Sequence, residues 1–571
     1  MGRNRYPHLL APVTINGVTL RNRVIATCSS PHFIQGTETW PTDALITHYA
    51  NKAKGGAAVV TCKGNQPKVV LDPHDQNLDI TIPANQHYFA QMADAVHYYG
   101  AKASILVQPP ITLTQGWDAS TGIPSEIVEG DGSVQVTGKE APEDVLIKIA
   151  DSYAEHAYIA RGLGFDMCFI HMAYRLMFPG RFLSPYTNKR TDKYGGDVRG
   201  RAQFPLMIAK KIKELCGQDF LIEVSCSGHE PELQGGVTIQ DTIQLAKEVE
   251  GYIDLLQIRG TFIDPSQPTY INPKRIPHLE VTEQITQAVH DMGLRTKITL
   301  IGGCQRPDIL DDIIERGAAD MIGSARGFLS DPNWVNKAYD GKADEITPCL
   351  RCNKCHQAKV GDWNSVCSVN PTFGIEHRLG MINVPPTPKK TVAVIGGGPA
   401  GMQAALECAK RGHDVTLYEQ SGTLGGLMND ASISAIKWTL KEFRDYMVHM
   451  VAKSNINVLL NTKATPEMIE KQGYDVVIAA VGSDPIIPNI PGAEKAFTAP
   501  EALRDHTKLD ENVVIIGGGE IGVETGIHLA ENGHKVTILE MLDVLAPDCV
   551  PIHFRILFRE KWENTPNLSW R

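Results

Sequence analysis

Residues 297–326 read KITLIGGCQRPDILDDIIERGAADMIGSAR: a short β-branched run, two glycines, a helix-like stretch, and a second apolar run ending in Gly323-Ser324-Ala325-Arg326. The order is strand, turn, helix, strand. Working back toward the N-terminus, six more short apolar runs recur, at 24–28, 57–62, 103–108, 166–171, 220–225 and 253–258, separated by helical patterns such as DSYAEHAYIARGLG. Eight alternating strand and helix units predict an α/β fold beginning with a closed (β/α)8 TIM barrel rather than an open sheet, and in such a barrel chemistry belongs at the C-terminal ends of the strands. The seventh run ends in Gly302-Gly303 and the eighth leads into Ala325-Arg326. Small-residue backbone donors and an arginine at those two ends suit a phosphate, so the barrel is expected to hold a phosphorylated ligand.

The 571 residues exceed one barrel and predict three to four domains. Lys and Arg total 55 against 65 Asp and Glu, and 42% of the residues are hydrophobic, enough for each domain to bury a core. A net charge of -10 argues against a general nucleic-acid binder. The start, MGRNRYPHLLAPV, lacks the apolar core of a signal peptide, and the most apolar stretch is interrupted by glycines, Gln403 and Glu407, so no membrane partner and a cytoplasmic location are expected. Of twelve cysteines, Cys349, Cys352, Cys355 and Cys367 are clustered; the scattered remainder suits buried thiols in a reducing compartment.

The cluster, in TPCLRCNKCHQAKVGDWNSVCSVNP from Thr347, offers four thiolates, which suit zinc or an iron-sulfur centre. Three closely spaced cysteines with a distant fourth favour four irons over the two separated pairs of a zinc ribbon. After a Pro- and Lys-containing linker, TVAVIGGGPAGMQAALECAKRGHDVTLYEQ gives a strand, the glycines Gly396, Gly398 and Gly401 with Ala400 between, a helix, and a second strand ending at Glu419. These glycines permit a tight turn and close approach of a pyrophosphate to a helix N-terminus, with Glu419 placed for ribose hydroxyls. The pattern repeats in NVVIIGGGEIGVETGIHLAENGHKVTILEM with Gly517, Gly519, Gly522 and Glu540. A carboxylate at Glu540 favours NADH over NADPH, because it bonds a free 2′-hydroxyl and repels a 2′-phosphate.

LRNRV from Leu20, FLSPYTNKRTDKYGG from Phe182, IGGCQRP from Ile301 and LSDPNW from Leu329 resemble the Old Yellow Enzyme barrels. The resemblance implies FMN, with Thr27 and Cys28 near its ring and Gly302, Gly303, Ala325 and Arg326 around its phosphate. It also implies a catalytic His at His171, with Tyr174 three positions on and Leu176 where a proton-donor Tyr is frequent. The roles expected here are a hydrogen bond from His171 to a substrate carbonyl, a proton from Tyr174, and charge stabilisation by Arg175; His171 as a strand cap, Tyr174 as packing and Arg175 in a surface ion pair are the plainer alternatives. Family members carry a flavin-contacting Gln on strand three, here Gln108, about two positions late. They also carry a flavin-edge Arg on strand five, where Ser225 stands; Lys63 and Arg259 are candidate replacements.

The cysteine segment and the following SVNPTFGIEH resemble the multidomain subfamily of 2,4-dienoyl-CoA reductases, trimethylamine dehydrogenase and anaerobic bile-acid or phenolic ene-reductases, which implies a 4Fe-4S cluster. Gly425-Gly426 and the AAVGSDP stretch resemble FAD-binding disulfide-reductase-like domains, with Gly426 at the FAD. The expected domains are a barrel at 1–343, a cluster segment at 344–384, an FAD domain at 385–505 and a partial NAD domain at 506–571. The thirty-one residues after Glu540 are expected to add none of the family's later strands. The order of parts implies a relay from NADH through FAD and the cluster to FMN and then to an activated alkene, an α,β-unsaturated carbonyl compound. Two rival readings are an amine dehydrogenase running the relay backwards and a non-enzymatic flavin or iron-sulfur binding protein. His32, Phe33, Phe178 and Phe262 are candidates for lining a flat-ring pocket, and a homo-oligomer is compatible with the sequence.

Overall fold

The computed structural model describes residues 5–29, 38–64, 78–114, 116–120, 125–129, 132–136, 138–173, 177–231, 235–260, 275–352, 354–356, 366–382, 388–547, 559 and 561–571. Its internal contacts form two units: Met1–Ile346 with Asn353–Met381, and Thr347–Cys352 with Ile382–Arg571. The stretch expected as a separate cluster segment is thus divided between them.

In the first unit the eight apolar runs become β1 (Val24–Ala26), β2 (Val59–Cys62), β3 (Lys102–Leu106), β4 (Met167–His171), β5 (Leu221–Ser227), β6 (Leu255–Arg259), β7 (Lys297–Ile301) and β8 (Met321–Ser324). They pair in parallel and close as β4-β5-β6-β7-β8-β1-β2-β3. Helices follow the strands in turn: α1 (Asp43–Lys54), α2 (Pro83–Tyr98), α3 (Glu143–Gly162), α4 (Gln203–Cys216), α5 (Ile239–Glu248), α6 (Leu279–Asp291), α7 (Pro307–Glu315) and α8 (Arg326–Ser330).

The barrel interior changes character along its axis, because side chains alternate in and out along each strand. Its floor is apolar: Ile25, Val59, Met167, Leu221, Leu255 and Met321 pack together with Ile15 and Leu20. The last two come from a hairpin, Val13–Ile15 against Val18–Leu20, whose Asn16-Gly17 turn has φ of 42° and 82°, the left-handed pair such a two-residue loop requires. Each floor side chain contributes roughly 1.5–3 kcal/mol by leaving water. The next inward positions are mostly polar yet closed to solvent, with Thr61, Ser104, Glu223, Gln257 and Thr299 beside the apolar Phe169. The following level, at the strand ends, carries Lys63, His171, Ser225 and Arg259.

The second unit holds two parallel sheets of dinucleotide-fold type. In the first, β9 (Thr391–Ile395), β10 (Asp414–Tyr418), β11 (Asn457–Leu459) and β12 (Val476–Ala479) are ordered β11-β10-β9-β12, with α9 (Pro399–Lys410) entering directly from β9's glycine turn. A longer helix, α10 (Trp438–Lys453), precedes β11. In the second sheet, β13 (Asn512–Ile516) and β14 (Lys535–Leu539) flank α11 (Glu520–Glu531) in sequence. Here the expectation of no further strand is corrected. Leu568–Trp570 forms β15 and pairs in parallel with β14, giving the order β13-β14-β15. Asn567, at φ 63°, turns the chain into that strand, and Trp562 and Leu568 pack on Val523, Ile527 and Ile538. The sequence hid this strand because it is three residues long with one aliphatic side chain.

Candidate functional site

The candidate site of the first unit is the barrel mouth. Thr27 and Cys28 continue from β1; Thr27 donates its N–H to the carbonyl of Ser324 at 3.1 Å, tying the first strand end to the eighth. The Thr27 hydroxyl is buried with no protein partner, and the same is true of the Gln108 Oε1. The Gln108 Nε2 donates to the sulfur of Met177 at 3.2 Å. Buried polar atoms are otherwise satisfied in folded proteins, so these two orphans at one end of the barrel fit a polar ligand. Burial pushes the Cys28 thiol up, against the pull of Lys52, Lys63 and Arg259.

Gly302 and Gly303 end β7 at φ 107° and 68°, a left-handed pair that side chains rarely adopt. A Cβ on Gly302 would lie 3.1 Å from the His278 ring, so that ring closes over the turn. The Ser324 hydroxyl donates to the carbonyl of Cys304 at 2.6 Å, joining the turns after β7 and β8, and Ala325-Arg326 opens α8. The turns that carry Gly302-Gly303 and Ala325-Arg326 are thus joined, and with the orphaned Thr27 and Gln108 atoms they fit FMN.

His171 ends β4, in register with Ser225 on β5. Burial, reinforced by the charge of Arg259, holds its imidazole well below the usual histidine range, so at neutral pH it is uncharged. Tyr174, Arg175 and Leu176 lie outside the described residues, as do His32, Phe33 and Phe262. Phe178 packs against Phe182 and Phe204 at ring-centroid distances of 5.6 and 5.7 Å and belongs to the core. Ser225 is fully buried, and its hydroxyl accepts the Met172 N–H at 3.3 Å, so β5 supplies no cation here.

Four residues at or beneath the mouth escaped the sequence reading. Lys52 of α1 donates to the carbonyl and hydroxyl oxygens of Ser29 at 2.8 and 3.1 Å, and burial pulls it down to about 8. Burial and Arg259 lower His278 to about 4. Glu223 on β5 is raised by burial to about 7, and it accepts from the Gln257 amide at 3.1 Å. Parallel barrel strands are ordinarily apolar throughout, so the Glu in LIEVSCS and the Gln in LLQIR were visible signals.

In the second unit each glycine loop joins a strand to a helix. Gly396 has φ 106°, and a Cβ there would lie 2.2 Å from the Ala480 carbonyl oxygen; one on Gly401 would lie 1.8 Å from that of Gly396. A Cβ on Gly426 would lie 2.9 Å from the Gly398 Cα, so a pyrophosphate at this turn meets bare backbone. Ala400 is exposed in the first turn of α9. Glu419 accepts N–H bonds from Gly397 and Ser421, each at 2.7 Å. In the second loop Gly517 has φ 104°, Gly519 caps α11, and a Cβ on Gly522 would lie 1.9 Å from the Gly517 oxygen. Glu540 accepts from Gly518 at 2.6 Å and from Met541 and Leu542 at 2.8 and 3.0 Å, bonds that lower its carboxyl below the usual range and keep it ionised. Two glycine turns with an acidic residue at the next strand end fit two dinucleotides.

The four clustered cysteines are each half-buried, Cys349 and Cys352 in the second unit and Cys355 and Cys367 in the first. The Cys349 sulfur accepts the Arg351 N–H at 3.4 Å, a bond obtained by placing Arg351 at φ 56°. α10 anchors this turn: Thr439 donates to the Leu350 carbonyl at 2.9 Å, Tyr446 bonds Thr347 at 3.0 Å, and the Arg351 guanidinium lies 5.1 Å from the Trp438 ring centroid. An amide donating to a sulfur favours its thiolate form, which suits a metal ligand.

Residues 8–345 match the NADH:flavin oxidoreductase / NADH oxidase family, and residues 390–563 match the pyridine nucleotide-disulphide oxidoreductases. The chain belongs to the NADH:flavin oxidoreductase family. It is 34% identical to an NADH oxidase of Thermoanaerobacter brockii over 96% of this chain and 85% of the relative. A cinnamate reductase of Clostridium sporogenes is 29% identical over 96% of this chain and 86% of the relative. Among solved structures, 2-naphthoyl-CoA reductase in complex with 2-naphthoyl-CoA is similar at a TM-score of 0.86 and 25% identity, covering 99% of this chain and 87% of that one. The Old Yellow Enzyme resemblance read from the barrel motifs is therefore borne out. The protein is an oxidoreductase, and the two family matches support FMN for the barrel and FAD with a pyridine nucleotide for the C-terminal unit. Among the described residues, no helix is long and apolar enough to cross a membrane.

Proposed function

We propose that this oxidoreductase is an NADH-dependent ene-reductase that saturates the C=C bond of an α,β-unsaturated carbonyl compound. The observation that carries the reading is His171: an imidazole at the end of β4 kept neutral, with one ring N–H able to donate a hydrogen bond to a carbonyl oxygen. When bound, FMN supplies hydride to the alkene, FAD accepts hydride from NADH, and a 4Fe-4S cluster supplies a one-electron link. The side chains of Thr27, Cys28 and Gln108 hold the flavin ring, and the Gly302-Gly303 turn with Ala325 and Arg326 holds its phosphate. His171 orients the carbonyl and stabilises the negative charge that develops on its oxygen. Tyr174 is assigned the proton delivered to the α-carbon, and Arg175 the developing charge. Cys349, Cys352, Cys355 and Cys367 supply the four thiolates of the cluster, and Glu419 and Glu540 take the two riboses.

The relatives support the direction, since a cinnamate reductase and a naphthoyl-CoA reductase are among them. The test is anaerobic turnover with cinnamate, an enoyl-CoA and a cyclic enone, following NADH loss and saturated product together. Equimolar consumption and product are expected for at least one member of the panel. Reduction of the bound flavin by a secondary or tertiary amine, with no alkene turned over, overturns the reading in favour of a dehydrogenase.

A further inference from the structure

We infer that Arg259 supplies the positive charge that offsets the negative charge acquired by a flavin in the barrel mouth on reduction, and that Gln257 and Glu223 hold Arg259 in place. The inference rests on the proposed FMN site and specifies how that site sets its redox balance. Reduction of a neutral flavin by two electrons, delivered one at a time, and one proton leaves one negative charge on the ring. A fixed cation at the mouth makes that step more favourable.

The position of Arg259 follows from the strand period. Leu255, Gln257 and Arg259 alternate on one face of β6. Leu255 lies in the apolar floor, and Gln257 lies one level up, donating to Glu223 across the interior at 3.1 Å. Arg259 is one level higher again, at the mouth, in register with Ser227 of β5. Its Nε donates to the Gln257 Oε1 at 2.9 Å. That bond fixes the amide: an arginine only donates, so the Gln257 oxygen faces it and the Gln257 nitrogen is turned to the carboxyl of Glu223. The three side chains form one row from the buried second level to the opening, and Glu223 is wholly buried with its Oε2 unpartnered.

The reach of the charge is equally specific. Arg259 acts on Cys28 after β1, on His171 at the end of β4, on Glu223 inside β5 and on His278 beside the Gly302 turn. Cys28, His171 and His278 follow or end three different strands, and Cys28 is a member of the predicted flavin set. Lys52, by comparison, is engaged with Ser29 on the α1 side. The position next to His171 on β5 is the neutral Ser225, whose hydroxyl is taken by the Met172 amide.

The test uses the full chain loaded with FMN. Sulfite adds to the flavin ring and leaves it negatively charged, so its dissociation constant, read from loss of the yellow band, reports the local charge without turnover. Arg259→Met is expected to weaken sulfite by about tenfold or more and to lower the flavin midpoint potential, with Arg259→Lys intermediate. Gln257→Leu is expected to shift both in the same direction by less, whereas a purely structural role moves only the melting temperature. Wild-type sulfite affinity in both Arg259 variants overturns the inference. If Arg259→Met retains no flavin, Arg259→Lys decides: flavin recovered with intermediate sulfite affinity supports a charge role, and a folded Arg259→Lys that also retains none overturns it. A wild-type protein that takes up no FMN contradicts the proposed site itself, whereas FMN uptake with unshifted variants overturns this inference alone.

Discussion

His171 and Glu223 are two buried titratable groups whose environments push them in opposite directions. His171 is held well below its ordinary value, so it stays neutral through pH 6.5 and kcat/KM is expected to show no inflection there from this group. His171→Ala is expected to lower kcat about a hundredfold, the scale of losing one positioned polar donor; steady-state kinetics with the best alkene check this. An unfolded histidine binds a proton below about pH 6.5 that the folded one refuses, so the His171 contribution to stability is complete above that pH and declines below it. Glu223 behaves oppositely. Its folded value, about 7, exceeds the ordinary glutamate value of 4.5, so its contribution is complete below pH 4.5 and is lost as pH rises through 7. Glu223→Gln removes that dependence, and the unfolding free energy of the variant relative to wild type is expected to climb between pH 4.5 and 7, by on the order of 3 kcal/mol at most, which denaturant titrations at the two pH values check. The motif positions of His171, Gly302 and Arg326 were legible in the sequence. Glu223, Gln257 and Arg259 were each visible singly, but their joining into one row was not, because it depends on which strand faces lie inward at the same level, and strand register is a property of the closed barrel.

At the scale of elements, the glycine turns are the parts least tolerant of a side chain. Gly401→Ala places a methyl 1.8 Å from the Gly396 oxygen, and relieving that overlap costs about 1–3 kcal/mol within the turn. The purified variant is expected to retain FMN while losing FAD, which flavin extraction and chromatography separate. Cys355→Ser and Cys367→Ser are expected to reduce iron by more than half while leaving FMN in place, measured by metal analysis. All eight barrel strands were readable because β-branched runs recur between helical patterns, and the structure shifts their ends by only a few residues. The last strand of the second unit was unreadable for the opposite reason. Leu568–Trp570 has too little length for a pattern, and its pairing is decided by the apolar face of α11 beneath it.

At the scale of the whole molecule, each unit contains the machinery for one part of a redox reaction: a barrel mouth with a neutral His and a phosphate turn, and two dinucleotide loops with acidic strand ends. Domain order along the chain was legible, since each motif is local. The partition of the cysteines was not: Cys349 and Cys352 fall in one unit and Cys355 and Cys367 in the other, a division that follows from long-range contacts and not from their spacing. The central claim is that electrons entering from NADH leave through the barrel to an activated alkene. Anaerobic stopped-flow spectroscopy of the iron-reconstituted protein tests it most directly, mixing first with NADH and then with cinnamate, enoyl-CoA or enone. The account predicts flavin bleaching by NADH followed by reoxidation on one of the alkenes. Bleaching by NADH with no reoxidation on any alkene, or bleaching by amines in its place, contradicts it.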